Sequence, residues 1–341
     1  MSVYPPLNIL RRLFLSIILS CTFSFAGEYK LGQGVQISNL PLYVGGYFSF
    51  AYGYDVDENL RYAKLDDVSL MLYGEQGRLS YMFELEAEDM YTEVFGDESK
   101  DVQNDAFHIE RLYAAYGFDE HWTLYLGKKY SPVGFWNLEP INVLRDTTSN
   151  PMITEILFPR LTSGAEVHYE QNDDRELSMH FLVQMTKDID IWLNEHNVYN
   201  NMEIDRHIAA GASWYASEVA YSVESGYFRQ VHGKEAFYLL GACLYESGTS
   251  KFQAELGTQF DKDGATIPYA GYVQYVQRFG SSHAAIVRVE SYRDDRNDEK
   301  DTFGVLGYTY RYRYPVALKG EYQWHSLHHE ERFLFSFSVL F

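Results

Sequence analysis

Cysteine is almost missing from this chain: of 341 residues, only Cys21 and Cys243 carry a thiol. Cys21 falls in an N-terminal apolar run that is read below as cleaved, so Cys243 is left alone and no internal disulfide can form. Basic charge is also scarce. Lys and Arg number 28 against 48 Asp and Glu, which argues against nucleic acid or an anionic lipid surface as partner, since both reward basic patches. Long apolar runs are lacking too, and the one at 13–19 is far short of the ~20 residues a spanning helix needs. The signatures G-x-x-x-x-G-K, G-x-G-x-x-G, H-E-x-x-H and G-x-S-x-G are absent. Nothing therefore points to nucleotide, dinucleotide, zinc or serine-hydrolase chemistry, and no cofactor, metal or catalytic residue is expected.

What is present begins with a targeting segment. Arg11 and Arg12 supply a positive region, the apolar run follows, and Ser24-Phe25-Ala26 places small residues where a signal peptidase reads. Residues 1–26 are read as a signal peptide and 27–341 as one exported domain. That domain keeps 26 Lys and Arg against 48 Asp and Glu, a net charge of −22. Lipidation at Ser20-Cys21 remains an alternative to ordinary cleavage.

Aromatic residues are abundant: 30 Tyr and 22 Phe in a chain that is 22% charged. A transmembrane barrel reconciles the two, because lipid-facing and lumen-facing residues alternate along each strand. Period two recurs throughout. Leu79, Tyr81, Phe83, Leu85 and Ala87 alternate with Ser80, Met82, Glu84, Glu86 and Glu88; Phe252, Ala254, Leu256 and Phe260 alternate with Lys251, Gln253, Glu255 and Gln259. Sixteen such segments are counted, near 41–54, 61–73, 78–91, 105–117, 121–131, 161–170, 174–186, 206–216, 218–230, 234–246, 250–261, 266–279, 282–293, 301–313, 315–325 and 331–341. Every long connection (92–104, 132–160, 187–205, 294–300, 326–330) falls in the same alternate set. That is the asymmetry between outer loops and periplasmic turns of an outer-membrane barrel. The fold class is all-β, a transmembrane antiparallel up-and-down barrel of about sixteen strands, with fourteen or eighteen left open. Pro315 is placed at a strand start and Pro268 near a strand rim.

The last strand carries the most specific signal. Phe333, Phe335, Phe337, Val339 and Phe341 form one comb, opposite Arg332, Leu334, Ser336, Ser338 and Leu340. An unpaired C-terminal edge of this kind is one that a β-structured assembly machine can extend. The strand Leu124-Tyr125-Leu126-Gly127-Lys128-Lys129-Tyr130-Ser131-Pro132-Val133-Gly134, the opening Gly45-Gly46-Tyr47 and the terminal strand together resemble the bacterial porin superfamily, specifically its phosphate-selective porin O/P-like group. The resemblance implies a homotrimer of water-filled barrels in the outer membrane of a Gram-negative bacterium, with the third loop folded into the lumen as a constriction.

On this reading, small hydrophilic solutes or ions diffuse through a lumen with two charged walls. The basic wall is assigned to Lys129, Arg288, Arg311, Arg313 and Lys319, the acidic wall to Glu84 and Glu86, and the loop contribution to Glu139, Arg145 and Asp146. The acidic balance fits phosphate selectivity poorly, so ion preference stays open. So do a substrate-specific transporter, a surface adhesin or structural barrel, and a barrel enzyme. His325, His328, His329 and Glu330 are read as a solvated loop rather than a metal site. Of Lys128 and Lys129, one faces the lumen and the other faces outward, where it is expected to snorkel.

Overall fold

A computed structural model describes residues 29–37, 40–95, 107–171, 176–189, 200–327 and 330–341. The expected signal peptide lies outside them, as do His328 and His329. Two short strands, β1 (Tyr29–Lys30) and β2 (Gly34–Gln36), precede sixteen long ones. These are β3 (Tyr43–Asp55), β4 (Leu60–Gln76), β5 (Leu79–Phe95), β6 (Phe107–Gly117), β7 (Trp122–Tyr130), β8 (Leu161–Gln171), β9 (Glu176–Gln184) and β10 (Ile204–Ala216). The second half comprises β11 (Val219–Gln230), β12 (Glu235–Ser247), β13 (Ser250–Asp261), β14 (Gly264–Phe279), β15 (His283–Asp294), β16 (Glu299–Arg313), β17 (Val316–His325) and β18 (Glu331–Leu340). Each pairs antiparallel with its sequence neighbour, and β18 pairs with β3 to close the ring. The result is a closed sixteen-stranded antiparallel barrel with almost no helix. Closure leaves no unpaired edge, the condition for a sheet to cross a bilayer.

Burial is inverted relative to a water-soluble protein. Leu256 is 64% exposed and Phe335 51%, whereas Glu84, Gln274 and Arg288 are at 0%. A continuous apolar belt of this extent is tolerable only against lipid. The alternation read from sequence thus points its apolar comb outward, including Phe333, Phe335, Phe337 and Val339 of β18.

The closure seam is aromatic. Phe333, Phe335 and Val339 stand opposite Tyr54, Tyr52 and Phe48, with ring centroids 6.4 Å apart for Tyr52–Phe335 and 6.5 Å for Tyr54–Phe333. Phe341 finishes the seam by exchanging two backbone hydrogen bonds with Gly46, at 2.8 and 2.9 Å. A Cβ on Gly46 would clash with the Ser69 carbonyl oxygen of β4 and lie 2.9 Å from the Phe341 ring, which explains a glycine there. Beyond Phe341 the same edge of β3 is taken by β2, through Val35↔Val44 and Gln36↔Tyr43.

Pro268 falls inside β14 rather than at its rim. The ladder to β13 slips between Gly257 and Gln259 at that level, so the missing donor falls where pairing is already irregular. Pro315 occupies the turn before β17. In another turn, Asp119 accepts the N–H groups of His121 and Trp122 at 2.8 and 2.9 Å, and these hold its carboxyl below the usual carboxylate range.

Candidate functional site

The connection between β7 and β8 spans 131–160 and includes a short 3-10 turn (Trp136–Leu138) and one helix, α1 (Met152–Ile156). It turns on Gly134, whose φ of +70° a side chain rarely adopts, and whose missing Cβ leaves room for the Glu255 carboxylate. Its apolar side chains have no reason to face water. Phe135, Trp136, Ile153, Leu157 and Phe158 pack with wall residues such as Phe228, Tyr238, Leu240 and Tyr272. Farther along, Ile141 and Val143 pack with Tyr47, Met71 and Leu340.

A segment with so little regular structure must still satisfy its backbone polar groups once buried. The wall does this with charged side chains. Glu255 accepts the N–H groups of Phe135 and Trp136, both at 2.8 Å. Glu290 accepts that of Met152 at 2.7 Å, at the start of α1. Glu321 takes the N–H groups of Thr148 and Ser149 together with the Ser149 hydroxyl at 2.7 Å. Cations meet the carbonyls. Arg311 donates to Val143, Leu144 (2.9 Å) and Arg145 (2.7 Å). Lys319 donates to Asn142 and to the Thr147 carbonyl at 3.0 Å. Arg288 bridges Glu290 at 2.6 Å and the Thr147 and Ser149 hydroxyls at 2.8 and 2.7 Å.

Three of the residues assigned to the basic wall, Arg288, Arg311 and Lys319, are therefore engaged by the loop. Lys129 is bound to Glu166 at 2.8 Å and lies 4.0 Å over the Tyr125 ring. Arg313 stands apart, exposed at the turn end of β16 with its guanidinium over Tyr312. From the loop, Glu139 and Asp146 both reach Lys251, at 3.5 and 3.3 Å. Glu84 pairs with Arg111 and accepts the Ser69 hydroxyl at 2.8 Å.

Opposite the clamped loop lies a cavity of about 230 Å³. Its loop side carries Pro140, Asn142, Arg145, Thr148, Asn150 and Arg160, while the facing wall carries Asp66, Asp67, Glu86 and Glu88 with Lys64. Lys64 is already bridged to Asp66 at 2.5 Å and Asp89 at 2.8 Å. Of the expected residues, Glu86 and Arg145 meet across this cavity. Lys251, Glu255, Asp66 and Asp67 were not among them. Lys251 and Glu255 sit on a lumen comb visible in the sequence, but nothing in the sequence marks those two rungs as the ones the loop touches.

Two further expectations are corrected. Lys128 does not snorkel; it is fully buried, 3.5 Å from Asp188. His325 is held by Asp301 at 2.5 Å and stacks on Phe303 rather than lying in solvent.

Among solved structures, the anion-selective porin from Comamonas acidovorans matches with a TM-score of 0.61 and 11% identity, over 88% of this chain and 99% of that one. Salmonella typhi OmpF in complex with daunomycin gives 0.58 and 10%, over 88% and 97%. A mutant of the Rh. blastica porin gives 0.51 and 12%, over 88% and 100%. The fold is that of the bacterial porins. At such identities the likeness extends to the porin fold alone. No protein-family model and no curated protein matches the chain, so the finer resemblance to the phosphate-selective group rests on the motifs quoted above.

Proposed function

We propose that the chain is an outer-membrane porin, made with a signal peptide over 1–26 and working as a homotrimer through which ions and small hydrophilic solutes diffuse. The observation that carries this reading is the division of the lumen. One wall, from β13 to β17, holds the 131–160 loop through its buried charges, and the passage is confined to the space between the loop and the β4–β5 wall. Sixteen strands enclose an aqueous channel wide enough for such a loop.

The lining of that space supports a preference for cations. Asp66, Asp67, Glu86 and Glu88 face Lys64, Arg145 and Arg160. Of the other basic side chains named for the lumen, Arg288, Arg311 and Lys319 are turned to the loop and Lys129 to Glu166, while Arg313 lies exposed at a turn. Opposed charges across a narrow, poorly screened gap favour polar solutes and admit ions by sign. Phosphate selectivity would need the reverse balance.

Single-channel recording in a planar bilayer under a salt gradient tests both parts. Stable conductance with a reversal potential of cation-selective sign is expected. A silent bilayer would sink the porin reading, and an anion-selective sign would overturn the assignment of the lining. The small cavity also favours a second reading, a channel restricted to one solute class. Liposome swelling with sugars of increasing size separates the two, since a general porin passes them in order of size.

A further inference from the structure

One cluster in the barrel wall has no part in holding the loop. Glu86 of β5 and His108 of β6 are cross-strand partners. Glu110 follows His108 by two residues and so shares its face. It is also the extra residue where the ladder slips from Glu84↔Arg111 to Leu85↔Ile109. This bulge brings Arg111 as well to the lumen side, where it is taken by Glu84.

The three side chains are buried, and one ligating atom from each lies within 4.8 Å of the others. His108 Nε2 is 3.3 Å from Glu110 Oε2 and 3.8 Å from Glu86 Oε2. Metal–ligand bonds of about 2.0–2.2 Å place tetrahedral donors roughly 3.4 Å apart, so small rotamer adjustments suffice. Glu110 is at 0% exposure. Its Oε1 accepts the Tyr130 hydroxyl, while its Oε2 makes no hydrogen bond and is directed at the imidazole. Two carboxylates buried side by side need either protons or a cation. A mixed imidazole and carboxylate set suits a borderline first-row ion, whereas Ca²⁺ and Mg²⁺ take oxygen ligands throughout.

We propose that Glu86, His108 and Glu110 form a binding site for a divalent transition-metal ion of the Zn²⁺ class. Glu86 also lines the cavity between the loop and the β4–β5 wall, so an ion held by the three would border it. The sequence signal is His108-Ile109-Glu110 on one strand opposite a Glu on the next. Binding does not depend on what the barrel conducts; its effect on conductance rests on the porin reading, where a bound dication would weaken cation preference.

Calorimetric titration of the folded barrel in detergent with Zn²⁺, in metal-free buffer at neutral pH, tests the site directly. Saturable binding of one ion per chain is expected. His108→Gln and Glu110→Gln should each weaken it roughly tenfold or more, while Tyr130→Phe leaves the stoichiometry unchanged. Co²⁺ substitution should give the visible absorption of a nitrogen- and oxygen-ligated tetrahedral ion, lost in His108→Gln. Absence of saturation up to about 1 mM would overturn the proposal and leave a shared proton as the answer. Affinity unchanged in both variants would overturn it too, placing the ion on other histidines. Circular dichroism checks that each variant is folded, and Glu86→Gln, which removes the third ligand, replaces either one that is not. None of these readouts needs a conducting channel, so failure of the site and failure of the porin reading are separable.

Discussion

Gly134 shows how one residue decides where a loop goes. Its φ of +70° is paired with a vacant Cβ position 2.5 Å from the Glu255 carboxylate, and that carboxylate is the group that caps Phe135 and Trp136. An alanine here meets two penalties: left-handed backbone costs about 1–2 kcal/mol, and displacing Glu255 leaves buried N–H groups unpaired at ~1–3 kcal/mol more. Gly134→Ala should therefore release the start of the loop while leaving the barrel strands intact. The expected result is more current noise in bilayers with the β-sheet circular dichroism unaltered; a quiet, wild-type trace would show that Glu255 tolerates the methyl. Gly127 makes a companion case. With φ at +128° and its missing Cβ against the Leu112 carbonyl, it lets β7 lie close to β6. Both glycines belong to the stretch 124–134, and their backbone roles explain two positions of a motif that sequence alone presents only as a resemblance.

The loop and the wall that grips it form the element on which selectivity turns. Reversing Arg311 looks from the sequence like a change of lumen charge. In the structure its guanidinium holds three consecutive carbonyls, Val143 to Arg145, and charge-assisted bonds of this kind contribute about 1.5–3 kcal/mol each. Arg311→Glu should thus raise conductance and noise together by freeing the loop. Arg145→Gln, which alters a cavity-lining charge, should shift the reversal potential toward cations with conductance nearly preserved. Asp67→Asn should shift it the other way. If Arg311→Glu moved only the reversal potential, the clamp would be refuted and a simple pore-lining role restored. The strands were legible because period two assigns every side chain to a face. Which cations on the inner face line the passage was not legible, since that depends on distance across the lumen. Lys251 and Arg313 show the gap: both lie on strands rich in lumen charge, yet one grips Asp146 while the other is exposed beside Tyr312.

At the scale of the whole barrel, the sorting of long and short connections points to about sixteen strands and the ring of pairings has sixteen; the remaining problem is how the ring shuts. Phe341 admits two roles. As the terminal signal proposed from the sequence it would be read by an assembly machine; as a clasp it bonds twice to Gly46 and lays its ring over that glycine. Gly46→Val separates them, because it crowds both the ring and the Ser69 carbonyl of β4 while keeping the C-terminal residue. Phe341→Ala keeps both backbone bonds and removes the ring, whose burial contributes up to about 1.5–3 kcal/mol, enough to lower refolding yield from denaturant into detergent. If closure is the larger role, Phe341→Ala and Gly46→Val should both depress refolding and both reduce the folded barrel in outer-membrane fractions. If recognition is the larger role, Phe341→Ala should refold nearly as well as wild type in detergent yet fail to accumulate in cells, while Gly46→Val shows the opposite pattern. The aromatic seam above the clasp, Tyr52 against Phe335 and Tyr54 against Phe333, is common to both variants. A loss in cells without a loss of refolding in Phe341→Ala therefore reports on the terminal residue and not on the seam above it.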